Sequence, residues 1–251
     1  AALDAGRLDE ADRLLAQAAQ NDLAAMRQAD AEAQRRRLRA GETIAGRGQL
    51  AFVQADFLGA AGHFSRAAQT VPQSAIEPRW EYSLRQANAL RERGQRFETE
   101  NLNEALRIYQ EVVLPLAPRA SRPEAWAQTQ NNLGNALRGL GERGDSAALA
   151  PAIVAFEGAL GVLTREADPQ AWALTQTNLG GALFSLGARG DAALLTRAVR
   201  AFDAALTVRT READPQRWAR VQMNLGAALA FLGQRGNGAA AARAVTVLEA
   251  A

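Results

Sequence analysis

Four tryptophans stand at positions 80, 126, 172 and 218, an even spacing of 46 residues, and the chain of 251 residues holds no others. Even spacing of the rarest large side chain means that one unit has been copied. A copied unit of this length builds a stacked, quasi-one-dimensional array in which each copy contacts only its neighbours. Three copies align without gaps, beginning at Pro123, Pro169 and Pro215, and the third stops at Ala251. The copy around Trp80 is looser: its Asn88-Ala89-Leu90 precedes Asn135-Ala136-Leu137 by 47 residues, so an insertion or deletion separates it from its own Trp.

Each unit reads as two helices. Asp168-Pro169 and Asp214-Pro215 are start signals, because Asp caps orphan backbone N–H groups and Pro at the first helical position loses no needed donor. Gly141, Gly187 and Gly233 read as stop signals in the left-handed conformation that glycine adopts without steric cost. At roughly 100° per residue, Trp172, Leu179, Leu183 and Leu186 share one face of the intervening helix, and that face is the expected core. Gly134, Gly180 and Gly226 fall in mid-helix, where glycine costs about 1 kcal/mol against alanine. Their recurrence predicts a close crossing by a neighbouring helix. The second helix carries Ala198, Phe202, Ala205 and Leu206 at helical spacing, and Pro151 falls near the first turn of its counterpart.

The pattern W-x6-L-G-x2-L-x3-G followed by A-x3-F-x2-A-L resembles the tetratricopeptide repeat, in the long-repeat form of bacterial arrays and of the kinesin light chain. Gly48, Ala60, Phe64, Ala67 and Pro72 stand at the spacing of that motif's small, aromatic and proline positions, and residues 2–19 resemble the latter part of another unit. The resemblance implies an all-α fold, a right-handed superhelical solenoid of antiparallel helix pairs spanning residues 1–251. The expected division is a partial unit 1–40, a unit 41–75, long units of about 76–122, 123–168 and 169–214, and a partial unit 215–251. Residues 9–39 lack Pro and Gly and predict a long helix ending before Gly41, while Gly94 to Glu100 predict an inter-helix loop. Because the chain starts and stops inside a unit, it reads as a piece of a longer protein with apolar repeat ends.

Composition narrows the function. Without Cys there is no disulfide, thiolate zinc site or cysteine nucleophile. All 29 basic residues are Arg, so a phosphate-loop lysine and a Schiff-base lysine are excluded, as is the two-lysine carboxylate clamp of chaperone-binding relatives. The net charge of +2 gives no basic nucleic-acid surface. No apolar run approaches the roughly 20 residues of a bilayer span. His63 is alone and cannot form a multi-histidine metal site. Arg143-Gly144-Asp145 and Arg189-Gly190-Asp191 spell an adhesion tripeptide, but Asn237 replaces the Asp in the third copy, which favours a turn and helix cap. Arg35-Arg36-Arg37 reads as a solvated face. No catalytic constellation, cofactor site or metal site is expected, and the chain reads as a non-enzyme, cytoplasmic and bacterial.

Function is therefore sought on the concave surface. Asn132, Asn178 and Asn224 occupy one place in successive units, ahead of the Leu-Gly and off the core stripe. A carboxamide both donates and accepts, so a row of them suits the backbone of an extended peptide. In the resembling family an asparagine at this place lines the peptide groove; the alternative is that the amides brace neighbouring helices. The groove would also include Asn131, Asn135 and Arg138; Thr177 and Phe184; Arg220, Met223 and Phe231; with Arg85 and Asn88 earlier. The expected function is a protein–protein interaction module that holds a partner peptide in this groove. Alternatives are a regulatory or sensor arm of a larger signalling or effector protein, and self-assembly through repeat ends.

Overall fold

The structure is a computed structural model that describes the backbone of residues 2–251 and the side chains of residues 7–251. Of the expected first half-unit, the side chains through Gly6 lie outside the described residues. Among the described residues every regular element is a helix: α1 (Ala2–Val53), α2 (Phe57–Thr70), α3 (Ile76–Arg96), α4 (Glu100–Ile108), α5 (Leu114–Leu116), α6 (Pro123–Glu142), α7 (Leu149–Leu160), α8 (Pro169–Gly187), α9 (Ala192–Leu206), α10 (Pro215–Gln234) and α11 (Gly238–Ala250). A π turn, Tyr109–Val113, joins α4 to α5, just before Pro115, which lacks the N–H that would continue an α-helical ladder. Apart from short α5, which lies on α3 and the π turn, each helix packs on the next in chain order, with α4 against α6, and α6, α8 and α10 also touch in sequence. The result is an all-α solenoid of stacked helix pairs.

The start signals act as expected. Asp168 accepts from the backbone N–H of Ala171 at 2.9 Å and Asp214 from that of Arg217 at 3.0 Å, with Pro169 and Pro215 opening the helices. The stop signals need correction. The glycines in the left-handed region are Gly144 (φ 119°), Gly190 (φ 140°) and Gly236 (φ 91°), three residues beyond those expected. Gly141, Gly187 and Gly233 instead belong to the last turn of their helices, where the next helix arrives. A Cβ on Gly141 would lie 2.4 Å from Leu149, and one on Gly233 would lie 2.7 Å from Ala241. These glycines therefore admit a neighbour instead of reversing the chain.

The mid-helix glycines behave as read. A Cβ on Gly134 would sit 2.7 Å from the Phe156 ring, on Gly180 2.6 Å from Phe202, and on Gly226 2.4 Å from Leu248. The second helix of each pair thus drives a large side chain into a notch on the first, and Phe156 and Phe202 are wholly buried there. Full burial of such a side chain contributes about 1.5–3 kcal/mol, which outweighs the roughly 1 kcal/mol lost to glycine in mid-helix.

Two further expectations are corrected. The first helix does not stop before Gly41 but runs unbroken to Val53. Gly41 is buried in it, and a Cβ there would meet Val71 at 2.4 Å, so this glycine also serves close packing. The described side chains before Gly41 are exposed, Arg35 to Arg37 among them; the 52-residue helix projects beyond its contact with α2. The tryptophans are not uniformly core residues. Trp80 is buried, but Trp126, Trp172 and Trp218 are half-buried at the edge of the stack. A guanidinium lies over the ring of three of the four: Arg122 over Trp80 at 5.1 Å, Arg119 over Trp126 at 4.9 Å and Arg211 over Trp218 at 5.4 Å. The loop expected from Gly94 is shorter, since α3 continues to Arg96 and Gly94 admits Leu102.

Candidate peptide-binding groove

The repeat sets its own register through three arginines spaced 46 residues apart, each reaching back to the preceding unit. Arg143 donates to the carbonyl of Gln95, Arg189 to that of Gly141 at 3.3 Å, and Arg235 to that of Ala188 at 3.0 Å. Each guanidinium serves the carbonyl end of the preceding unit's first helix, where unsatisfied acceptors and the negative end of the helix dipole favour a cation. The Arg of the adhesion-like tripeptide is thus a strut between units, the Gly makes the turn, and the third residue caps the next helix at Asp191 and Asn237. Asp145 makes no such cap bond. On the outer helices Arg197 pairs with Glu157, and its equivalent Arg243 pairs with Asp203 at 2.5 Å.

Within that frame α6 and α8 bring some of the expected groove residues together. Asn178 Nδ2 donates to Asn131 Oδ1 at 3.0 Å, across the unit boundary. Asn131 Nδ2 lies 3.4 Å from Asn132 Oδ1, and Asn135 donates to the backbone carbonyl of Asn131 at 3.1 Å. Asn131 itself is 7% exposed, while Asn132 and Asn178 are half-buried. A cavity of about 660 Å³ adjoins this cluster, lined by Gln128, Asn131 and Asn132 from α6, Val162 and Leu163 from the link, and Leu174 from α8. Its chemistry is mixed: apolar at Val162, Leu163 and Leu174, carboxamide along α6, and acidic at Glu124 and Asp168.

The remaining expected residues fall in several places. Arg138 is tied to Glu142 at 2.5 Å. Thr177 is buried and turns its hydroxyl back to the Ala173 carbonyl at 2.8 Å. Phe184 and Phe231 meet edge to face with ring centres 5.3 Å apart, joining α8 to α10. Arg220, Met223 and Asn224 are exposed on α10, and the Asn224 side chain makes no hydrogen bond among the described residues. Arg85 pairs with Glu81 at 2.6 Å and reaches Gln49 at 3.3 Å. Asn88 is a correction: its Oδ1 accepts the hydroxyl of wholly buried Tyr109 at 2.6 Å, so it faces its own unit's second helix and braces that pair. Burial pushes the Tyr109 phenol up to about 12, against the opposing pull of the Arg91 charge.

Arg209 was not anticipated from the sequence. It lies in the link between α9 and α10 and is 6% exposed. Its pKa is lowered by burial first, then by the charges of Arg217 and Arg220, with Asp214 opposing. Carrying the repeat alignment through the links would have revealed it, because Val208-Arg209 stands opposite Val162-Leu163. His63 has Arg66 Nη2 3.0 Å from its Nδ1, and burial, Arg66 and Arg47 all lower its pKa. No group of three or more His, Cys, Asp or Glu suited to a metal ion occurs among the described residues. No described helix is long and apolar enough to cross a membrane.

Comparison with known proteins supports the fold. BtubC (BKLC) from P. vanneervenii, a kinesin light chain-like tetratricopeptide-repeat protein, superposes with a TM-score of 0.63 at 20% identity, covering 89% of this chain and 85% of that one. No family model matches the chain, and no curated protein matches it. The shared property is the class of fold, a superhelix of the tetratricopeptide type.

Proposed function

We propose that this array is a protein-interaction module that holds an extended segment of a partner protein along α6, α8 and α10. The observation that carries the reading is the carboxamide cluster of Asn131, Asn132 and Asn178 beside an open cavity of about 660 Å³. Asn132 and Gln128 line that cavity, and neither side chain donates a hydrogen bond to another protein group among the described residues. A peptide backbone presents both donors and acceptors at short intervals, and such amides match it whatever the side chains; Leu163, Val162 and Leu174 offer an apolar seat for one of those side chains. The mechanism is passive: a rigid surface, ordered beforehand by the inter-unit struts, limits the ordering cost of binding.

The test is selection of peptides from a random display library on the wild-type array, followed by affinity measurement on variants. Gln128→Ala with Asn132→Ala removes two neutral hydrogen-bonding groups, each worth about 0.5–1.5 kcal/mol, so selected peptides should bind roughly 5- to 100-fold more weakly at an unchanged melting temperature. Peptides that bind the double variant as tightly as the wild type contradict the groove reading. A second reading, association through a repeat end, rests on the face where α10 meets α11: Ala244 and Leu248 border a depression of about 420 Å³, with Val245 and Leu248 56% and 48% exposed. Sedimentation at rising concentration distinguishes it, since self-association predicts a growing dimer fraction that Val245→Glu removes.

A further inference from the structure

The residues that line the cavity between α6 and α8 have equivalents 46 residues on, at the junction of α8 and α10, and three of them change from apolar to cationic. Leu163, Ala171 and Leu174 line the cavity; the equivalent positions are Arg209, Arg217 and Arg220. Asp168 and Asp214 are the same at both junctions, each capping the helix that follows.

Arg209 is the informative residue. More than nine-tenths of it is buried, its Nη1 is enclosed, and none of its guanidinium N–H groups donates to a protein acceptor among the described residues, while its backbone N–H bonds the Ala205 carbonyl at 3.0 Å. Arg91, Arg93 and Arg138 also enclose an Nε without an acceptor, but each is bonded through another nitrogen, to Gln95, Glu98 and Glu142 respectively. A guanidinium does not shed its proton in a protein, so the charge of Arg209 stays. The nearby groups add to the imbalance. Arg217 and Arg220 are cations, and Asp214, the acid that opposes them, is already engaged: Oδ1 accepts from the Arg217 backbone N–H at 3.0 Å and Oδ2 lies 3.3 Å from Arg217 Nε. A buried, unpartnered charge beside two like charges is strongly unfavourable unless an anion completes the set. The planar fork of Arg209 suits a two-oxygen anion, with Arg217 and Arg220 as exposed flanking charges.

We propose that Arg209, Arg217 and Arg220 form an oxyanion subsite at the α8–α10 junction, which takes a carboxylate from an acidic segment of the partner lying in the groove. This rests on the groove reading and refines it: the segment is held by carboxamides and an apolar seat at α6–α8, and by charge one unit further along. The subsite is specific to this junction, since α6–α8 carries Leu163 in place of Arg209.

The experiment uses the whole chain and three matched probes: a display-selected peptide, the same peptide with one residue changed from alanine to glutamate at each position in turn, and the phosphoserine version of the best glutamate peptide. Inorganic phosphate is titrated alongside. One glutamate position should raise affinity about tenfold or more, the scale of a charge-assisted hydrogen bond. The gain should shrink with salt and disappear in Arg209→Leu, a change that restores the residue found at the equivalent junction. Arg217→Ala with Arg220→Ala should reduce the gain in part, with the melting temperature unchanged. If no glutamate position gains and Arg209→Leu binds every probe as the wild type does, the subsite is wrong while the groove stands. If phosphate or phosphoserine binds through Arg209 and glutamate gains nothing, the assignment to a carboxylate is overturned. If no peptide can be selected at all, phosphate raising the melting temperature of the wild type but not of Arg209→Leu marks a free-anion site and overturns the peptide source.

Discussion

The helix pair α3–α4 and the pair α8–α9 solve one packing problem in two ways. In α8–α9 the wholly buried ring of Phe202 enters a notch left by Gly180. In α3–α4 the corresponding ring is Tyr109, which stands 47 residues before Phe156, and the notch position is Ala87, 47 residues before Gly134. Tyr109 is equally buried, but its hydroxyl needs a partner, which Asn88 supplies at 2.6 Å, and its segment is widened into a π turn. The pair with glycine and an apolar ring is the one copied in register. The pair with alanine and a hydroxylated ring carries the length change. The notch is the steadier of the two: the last pair keeps glycine at Gly226 but sets Leu248 where Phe156 and Phe202 stand.

The largest effect should come from removing the ring. Phe202→Ala and its equivalent Phe156→Ala should each cost about 3–5 kcal/mol in urea unfolding, the usual range for a buried aromatic. Costs that differ by more than about 2 kcal/mol would break the equivalence of the two units. The tryptophans sharpen the comparison at the other end of the helix. Trp80→Ala should fall in the same 3–5 kcal/mol range because the ring is buried, whereas half-buried Trp218→Ala should cost about 1–2 kcal/mol.

Tyr109 gives the looser pair a signature of its own. Its phenol is raised by burial from 10.0 to about 12, so the folded state holds the proton more tightly than the unfolded chain. The associated stability is complete below pH 10 and disappears as pH rises through 12. About 2–3 kcal/mol should be lost across that window, and Tyr109→Phe should flatten it. Unfolding monitored from pH 9 to 12 measures this directly; an equal alkaline loss in Tyr109→Phe would assign the effect to other groups. The smallest effect belongs to the inter-unit amide: Asn178→Ala removes the 3.0 Å bond to Asn131 and should cost about 0.5–1.5 kcal/mol. A loss within error would mean that water replaces that bond at no cost.

The frame was largely legible in the sequence because packing is periodic. Tryptophan spacing announced the unit, Asp-Pro announced helix starts, and the mid-helix glycines announced close crossings. What failed did so for physical reasons. A glycine near a helix end signals either a left-handed turn or a close approach, and Gly141 and Gly144 divide these roles in a way that only the path of the next helix decides. An amide such as Asn88 looks available until the hydroxyl that reaches it from another helix is seen. Helical periodicity placed Trp172 on the core stripe, but a position near the helix start can lie at the stack's edge, where burial is incomplete. Arg209 lies in a link, where helical periodicity carries no signal.

Hydrogen–deuterium exchange of the array with and without a display-selected peptide tests the central claim most directly. The account predicts added protection on α6 and α8 around Gln128 to Asn132 and Leu174 to Asn178, and on the links at 162–168 and 208–214, with α7 and α9 unchanged. Protection confined to the outer faces of α7 and α9, or to α11, would place the binding surface elsewhere and contradict it.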